Sequence, residues 1–98
     1  MVLAVEAVEG TDQTILRGGK LGGPGIVVVK VAKPKQDLRF DIPAIGLTTL
    51  EALINSQARV LAVQAGVTFI LDKAKFLAGA EKHGISVVAL EDLTSIDK

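Results

Sequence analysis

The sequence predicts an α/β fold: a single small domain in which a mixed sheet of about five strands carries about two to three covering helices. Three observations predict it. Short apolar runs broken by a single charge occur at residues 2–8 and 26–32, and a further apolar run at 85–90, as expected of strands covered on both faces. Between them Leu47, Leu50, Leu53 and Ile54 recur at helical period. A chain of 98 residues suffices for one domain with a modest core.

Taken in order, residues 2–8 form the first strand, interrupted by Glu6. Glu9-Gly10-Thr11-Asp12 follows as a turn. Thr11 reads as an N-cap, and Asp12 falls in the first turn of a short helix to about Arg17, where its charge suits the helix dipole. Alternatively, Asp12 is a carboxylate at a strand end, where α/β proteins collect ligands. Gly18, Gly19, Gly22, Gly23 and Gly25, with Lys20 and Pro24, predict a mobile loop able to act as a lid. Their spacing matches neither the dinucleotide fingerprint nor the P-loop, and they lead into a strand where both motifs lead into a helix. In the second strand, residues 26–32, Lys30 intrudes as Glu6 does in the first. The two form a buried pair if the strands are neighbours, or Lys30 turns its amine toward a ligand at the strand end.

The most charged stretch follows, from Lys30 to Pro43 and on to Gly46. Pro34 and Pro43 disfavour a helix. In extended backbone Leu38, Phe40 and Ile42 share one face, and Asp37, Arg39 and Asp41 the other. Asp37 and Asp41 are then about 13 Å apart, too far to share one metal ion unless the backbone bends. Lys30, Lys33 and Arg39 suit neutralisation of a phosphate or diphosphate, and cations mixed with carboxylates suit magnesium-assisted phosphate chemistry. The plainer reading is a solvated, salt-bridged loop.

Thr48 and Glu51 have capping-box spacing ahead of the leucine helix. Residues 59–64 and 67–71 read as two strands, and Ala65-Gly66 predicts a tight hairpin between them. Asp72 reads as the N-cap of a helix to about Lys82, with Phe76, Leu77 and Ala80 inward and Gly84 ending it. His83, the single histidine, falls at that helix C-terminus, where the dipole favours a cation. Residues 85–90 are the last strand and 91–98 a polar tail. No internal repeat is evident.

Composition narrows the function. Eleven cations balance eleven acids and aromatics make up 3%, so neither a broad nucleic-acid footprint nor base stacking is expected. The absence of cysteine excludes disulfides and thiolate chemistry. No apolar run reaches bilayer length, and the first residues lack the basic region of a signal peptide. A chain that opens directly on a strand reads as a piece of a longer protein.

Residues 4–12, running through Glu9-Gly-Thr-Asp12, and the stretch Lys30-Val-Ala-Lys-Pro-Lys-Gln-Asp-Leu-Arg-Phe-Asp-Ile-Pro43, reaching Gly46, stand in this order. Together they resemble the C-terminal domain of the bacterial UDP-2,3-diacylglucosamine pyrophosphatase family that lacks a metallophosphoesterase signature. The resemblance extends over Ala65-Gly66 and Leu71-Asp72. It implies a metal-dependent hydrolase of lipid A synthesis. Such an enzyme cleaves UDP-2,3-diacylglucosamine to 2,3-diacylglucosamine 1-phosphate and UMP, with Mg2+ or another divalent cation and water attacking the nucleoside-side phosphorus. Carried onto this chain, it implies Asp37, Asp41 and Arg39 as catalytic, and Lys30, Lys33, Thr11 and Gln36 as substrate-binding. Asp37, Asp41, Asp12 and Glu9 would hold the metal.

The resemblance further implies a missing N-terminal domain, an active site shared with it, and an isolated domain that is inactive. The intact enzyme is expected in the cytoplasm, peripherally at the inner membrane. A phosphorylated-lipid or nucleotide binding module without turnover, and a structural unit that forms homodimers through an open strand edge, are the competing readings.

Overall fold

A computed structural model describes residues 1–6, 9–31 and 44–91. In chain order the elements are α1 (Thr11–Gly22), β1 (Val27–Lys30), β2 (Ala44–Ile45), α2 (Leu47–Asn55), β3 (Val60–Gln64), β4 (Phe69–Ile70), α3 (Lys73–Lys82) and β5 (Ser86–Leu90). The α/β class holds. Among the described residues the five strands divide into a three-stranded sheet, β1-β3-β5, and a two-stranded one, β2-β4. Every pairing is parallel, where the sequence suggested one mixed sheet.

The expected hairpin at Ala65-Gly66 is therefore a correction. β3 already has a parallel partner on each side, so no edge is free for an antiparallel return. Ala65 continues the ladder instead, donating its N–H to the carbonyl of Leu90 at 2.7 Å. Parallel neighbours need long crossovers, and the chain makes two alike. Each leaves the large sheet, adds a short strand to the small one and returns through a helix: β1–β2–α2–β3, then β3–β4–α3–β5. This repeat of topology has no counterpart in residue identity.

All three helices pack on one face of the large sheet. Ile15 of α1, Leu50 and Leu53 of α2, and Phe76 and Ala80 of α3 join Leu61 and Val63 of β3 in a single core, with Phe76, Leu53 and Leu61 fully buried. Leu77, expected inward, is 38% exposed; one position on from Phe76, it is rotated about 100° off the buried stripe. On the opposite sheet face Val27, Val29 and Val88 are exposed around Ala62.

Further corrections concern helix ends. Residues 1–6 form no strand. They lie along α1, where Leu3 packs over Gly22 and Ala4 lies near Gly18. The helix that was to stop near Arg17 runs on to Gly22, so Gly18, Gly19 and Gly22 are helical and not a lid. Gly19 lets Ser56 approach so closely that a Cβ there would sit 2.7 Å from the Ser56 Cβ. Thr11 and Thr48 do not occupy the cap positions, which fall to Gly10 and Gly46, whereas Asp72 is the N-cap residue of α3 as expected; none of the three helices has a side-chain cap hydrogen bond. The stop of α3 is as expected. Gly84, at φ 71°, lets its own N–H reach Glu81 and that of Ile85 reach Ala80, a Schellman closure. His83 is part of it, its Nδ1 lying 2.9 Å from the Gly79 carbonyl.

Candidate active site

The two short parallel strands explain where a site arises. β2 and β4 lie side by side in register, Ala44 with Phe69 and Ile45 with Ile70. Each then runs within one or two residues into a helix. The N-termini of α2 and α3 are thereby brought to one place. Helix α1 runs in the same direction as α2, since Asp12 meets Thr49 and, further along, Ile15 meets Ser56. Its N-terminus joins the other two.

The result is a cleft of about 670 Å³ lined by Thr11, Asp12, Gly46, Thr48, Thr49 and Asp72, with Glu9 at its wall. First-turn N–H groups have no intrahelical partner, and the dipole places partial positive charge there. With no side-chain caps, these helix ends leave donors for an anion. The three carboxylates on the wall would in turn favour a cation beside it.

Thr49 was not foreseen. It is 4% exposed, and its hydroxyl donates to Asp12 Oδ1 at 2.9 Å, fixing that carboxylate at the cleft. A signal did exist: Thr49 shares the buried stripe of Ala52, Leu53 and Ser56, and a hydroxyl on such a stripe needs a partner.

Lys30 and Glu6 do pair, at 3.5 Å, but they stay 21% and 31% exposed and do not come from neighbouring strands. Thr11 stands between them. Lys30 Nζ donates to Thr11 Oγ1, and Thr11 Oγ1 donates to Glu6 Oε1, each at 2.9 Å. Both earlier alternatives are thus partly realised, since Lys30 is paired and lies one hydroxyl from the cleft wall. Glu9 is held differently. Arg17 donates Nε to its Oε2 at 3.3 Å and Nη2 to its Oε1. That hydrogen bonding pulls the Glu9 pKa below its ordinary value and raises that of Arg17. Lys33, Gln36, Asp37, Arg39 and Asp41 lie outside the described residues.

Among the described residues no three carboxylates or histidines converge closely enough to hold a metal ion. Magnesium commonly takes only one or two protein carboxylates and completes its shell with water and substrate phosphate. Asp12, oriented by Thr49 on the cleft wall, fits as one such ligand. Glu9, with both oxygens facing Arg17, is already engaged.

Parallel strands delivering helix N-termini to one cleft define an α/β domain whose candidate site lies at its strand ends. The chain belongs to the family described as the LpxI C-terminal domain, which it matches over residues 1–88. It is 30% identical over 99 residues to the UDP-2,3-diacylglucosamine pyrophosphatase LpxI of Caulobacter vibrioides, a match covering 93% of this chain and 35% of that protein. The chain thus spans about a third of the relative's length. Among the described residues no helix is long and apolar enough to cross a membrane.

Proposed function

We propose that this chain is the phosphate-handling portion of a UDP-2,3-diacylglucosamine pyrophosphatase acting in lipid A synthesis. The observation that carries this reading is the convergence of the first turns of α1 and α2 and the turn before α3 on one cleft, with Lys30 beside it, in a chain of the LpxI C-terminal domain family. The substrate's diphosphate lies over the helix ends. Their N–H groups and Lys30 offset charge that builds on the phosphoryl oxygens as the anhydride breaks. Lys33 and Arg39 help to offset that charge, and Thr11 and Gln36 position the substrate.

Asp12 and one of Asp37 or Asp41 would hold a magnesium ion, which when bound supplies Lewis-acid polarisation of the phosphate. The other carboxylate takes the proton of the attacking water, and Arg39 orients the pair. A second domain completes the site at the membrane surface, where an acylated substrate resides.

The test places this chain in the Caulobacter relative in exchange for the matching segment and assays UMP release with magnesium. The chimaera is expected to be active, and Asp37→Ala combined with Asp41→Ala to abolish turnover. Full activity in that double variant rejects the assignment.

Self-association is a second reading, favoured by the exposed Val27, Val29 and Val88. Light scattering at high concentration decides it, and a strict monomer removes it.

A further inference from the structure

Glu6 does not line the cleft, yet it closes a ring of contacts from three separate segments. Its carboxylate accepts from Thr11 at the start of α1 and stands 3.5 Å from Lys30 at the end of β1. The direction of the chain of protons is fixed. An ammonium can only donate and an ionised carboxylate can only accept, so the Thr11 hydroxyl must take its proton toward Glu6 and turn a lone pair to Lys30. From the arrangement Lys30→Thr11→Glu6 we infer that Glu6 is a positioning residue for anion binding: it holds the Lys30 ammonium against Thr11, which lines the cleft, before any ligand arrives. The inference rests on the anion-cleft reading given above.

The physical reason is pre-organisation. A lysine free in water samples many rotamers, and a ligand that must first order it binds less tightly. Here two acceptors anchor Nζ, and among the described residues Lys30 has no further partner. A third ammonium proton is left for a phosphate oxygen. Electrostatics alone predicts the opposite role, since a carboxylate near the site repels an anion. The two accounts therefore differ in the sign of the effect of removing Glu6.

The probe is inorganic pyrophosphate, titrated into the 98-residue chain while the amide NMR signals of Thr11 and Asp12 are followed. Glu6→Ala is expected to weaken binding by about tenfold, and Lys30→Ala by a similar factor. The double variant should lose no more than the weaker single variant, because both act through one contact. Glu6→Gln should restore most of the affinity, since its amide oxygen still accepts the Thr11 proton. If Glu6→Ala does not fold, Thr11→Val, which keeps the shape and removes the hydroxyl, is expected to show the same tenfold loss.

Glu6→Ala protein that binds as tightly as the unsubstituted chain, or more tightly, overturns the proposal. So does a lowered melting temperature with unchanged affinity of the folded protein. Unsubstituted chain whose Thr11 and Asp12 signals ignore pyrophosphate overturns the anion-cleft reading itself and this proposal with it. That outcome is separable because it needs no variant.

Discussion

Thr49 in the first turn of α2 donates its hydroxyl proton to Asp12 in the first turn of α1, at 2.9 Å. The bond links two helix N-termini and sets the position of a cleft carboxylate that, unlike Glu9, has no arginine across it among the described residues. A neutral donor to a charged acceptor, here partly buried, contributes about 1.5–3 kcal/mol. Thr49→Val keeps the shape and removes the donor, so stability should fall by about that amount in urea denaturation. Thr49→Ser should lose less, because it retains the hydroxyl. Equal losses in the two would show that the side-chain methyl matters and the bond does not.

The same two helices meet again where Ser56 crosses Gly19. A Cβ on Gly19 would lie 2.7 Å from the Ser56 Cβ and 3.2 Å from its Cα, whereas one on Gly18 would find only Ala4 at an ordinary 3.7 Å. Replacing a mid-helix glycine by alanine gains up to about 1 kcal/mol of helix propensity. Gly18→Ala should keep that gain. Gly19→Ala should lose about 1–3 kcal/mol to overpacking, a net destabilisation, because backbone must move to admit the methyl. Opposite shifts of the urea midpoint are expected; shifts of the same sign would contradict this account of the contact.

These contacts also mark what the sequence could and could not disclose. Strands β1 and β5 and helices α2 and α3 were legible because their apolar period is local. The glycines of α1 read as a loop because propensity does not include Ser56, which is 37 positions further along. Ala65-Gly66 carries the same turn chemistry whether the chain doubles back or departs into a crossover. The choice depends on which edges of β3 remain open, a property of the whole sheet. Lys30 and Glu6 do form an ion pair, but not the buried pair of neighbouring strands that their interruption of apolar runs suggested, and Thr11 between them follows only from the geometry. Asp12 reads as a strand-end carboxylate or a dipole partner; its place in the first turn of α1 bears out the second, while residues 1–6 form no strand for the first, and it reaches the cleft from the helix instead. The catalytic assignment of Asp37 and Asp41 belongs to a segment outside the described residues and rests on the family resemblance.

The Glu9–Arg17 pair gives a pH test with a defined sign. The Arg17 hydrogen bond lowers the Glu9 pKa in the folded protein. Its contribution to stability is therefore present above the unfolded glutamate pKa, about 4.3, and is lost as pH falls below that and through the folded value. Arg17 is shifted upward, so its contribution is complete throughout the working range and its loss would require strongly alkaline solution. Both side chains are exposed to solvent, and its screening makes the effect on unfolding small. Titration of the Glu9 side-chain carboxyl by carbon NMR reads the pair directly. Arg17→Ala should move its midpoint upward toward the ordinary range. An unmoved midpoint would show that the pair does not persist in solution.

Thr68, just before β4, supplies a prediction in the stabilising direction. Its Oγ1 is buried with no hydrogen-bond partner among the described residues. A hydroxyl taken from water without a partner costs about 1–3 kcal/mol, and replacing it by an apolar group of the same shape removes that cost. Thr68→Val exchanges the hydroxyl for a methyl and keeps the β-branched form that suits entry into a strand. The urea midpoint should rise by the equivalent of about 1 kcal/mol, with the slope of the transition unchanged. Thr68→Ala also removes the hydroxyl, but it gives up the packing of the branch, so its gain should be smaller or absent. If Thr68→Val is instead destabilised, the hydroxyl has a partner in solution, and the turn between β3 and β4 is arranged differently around it.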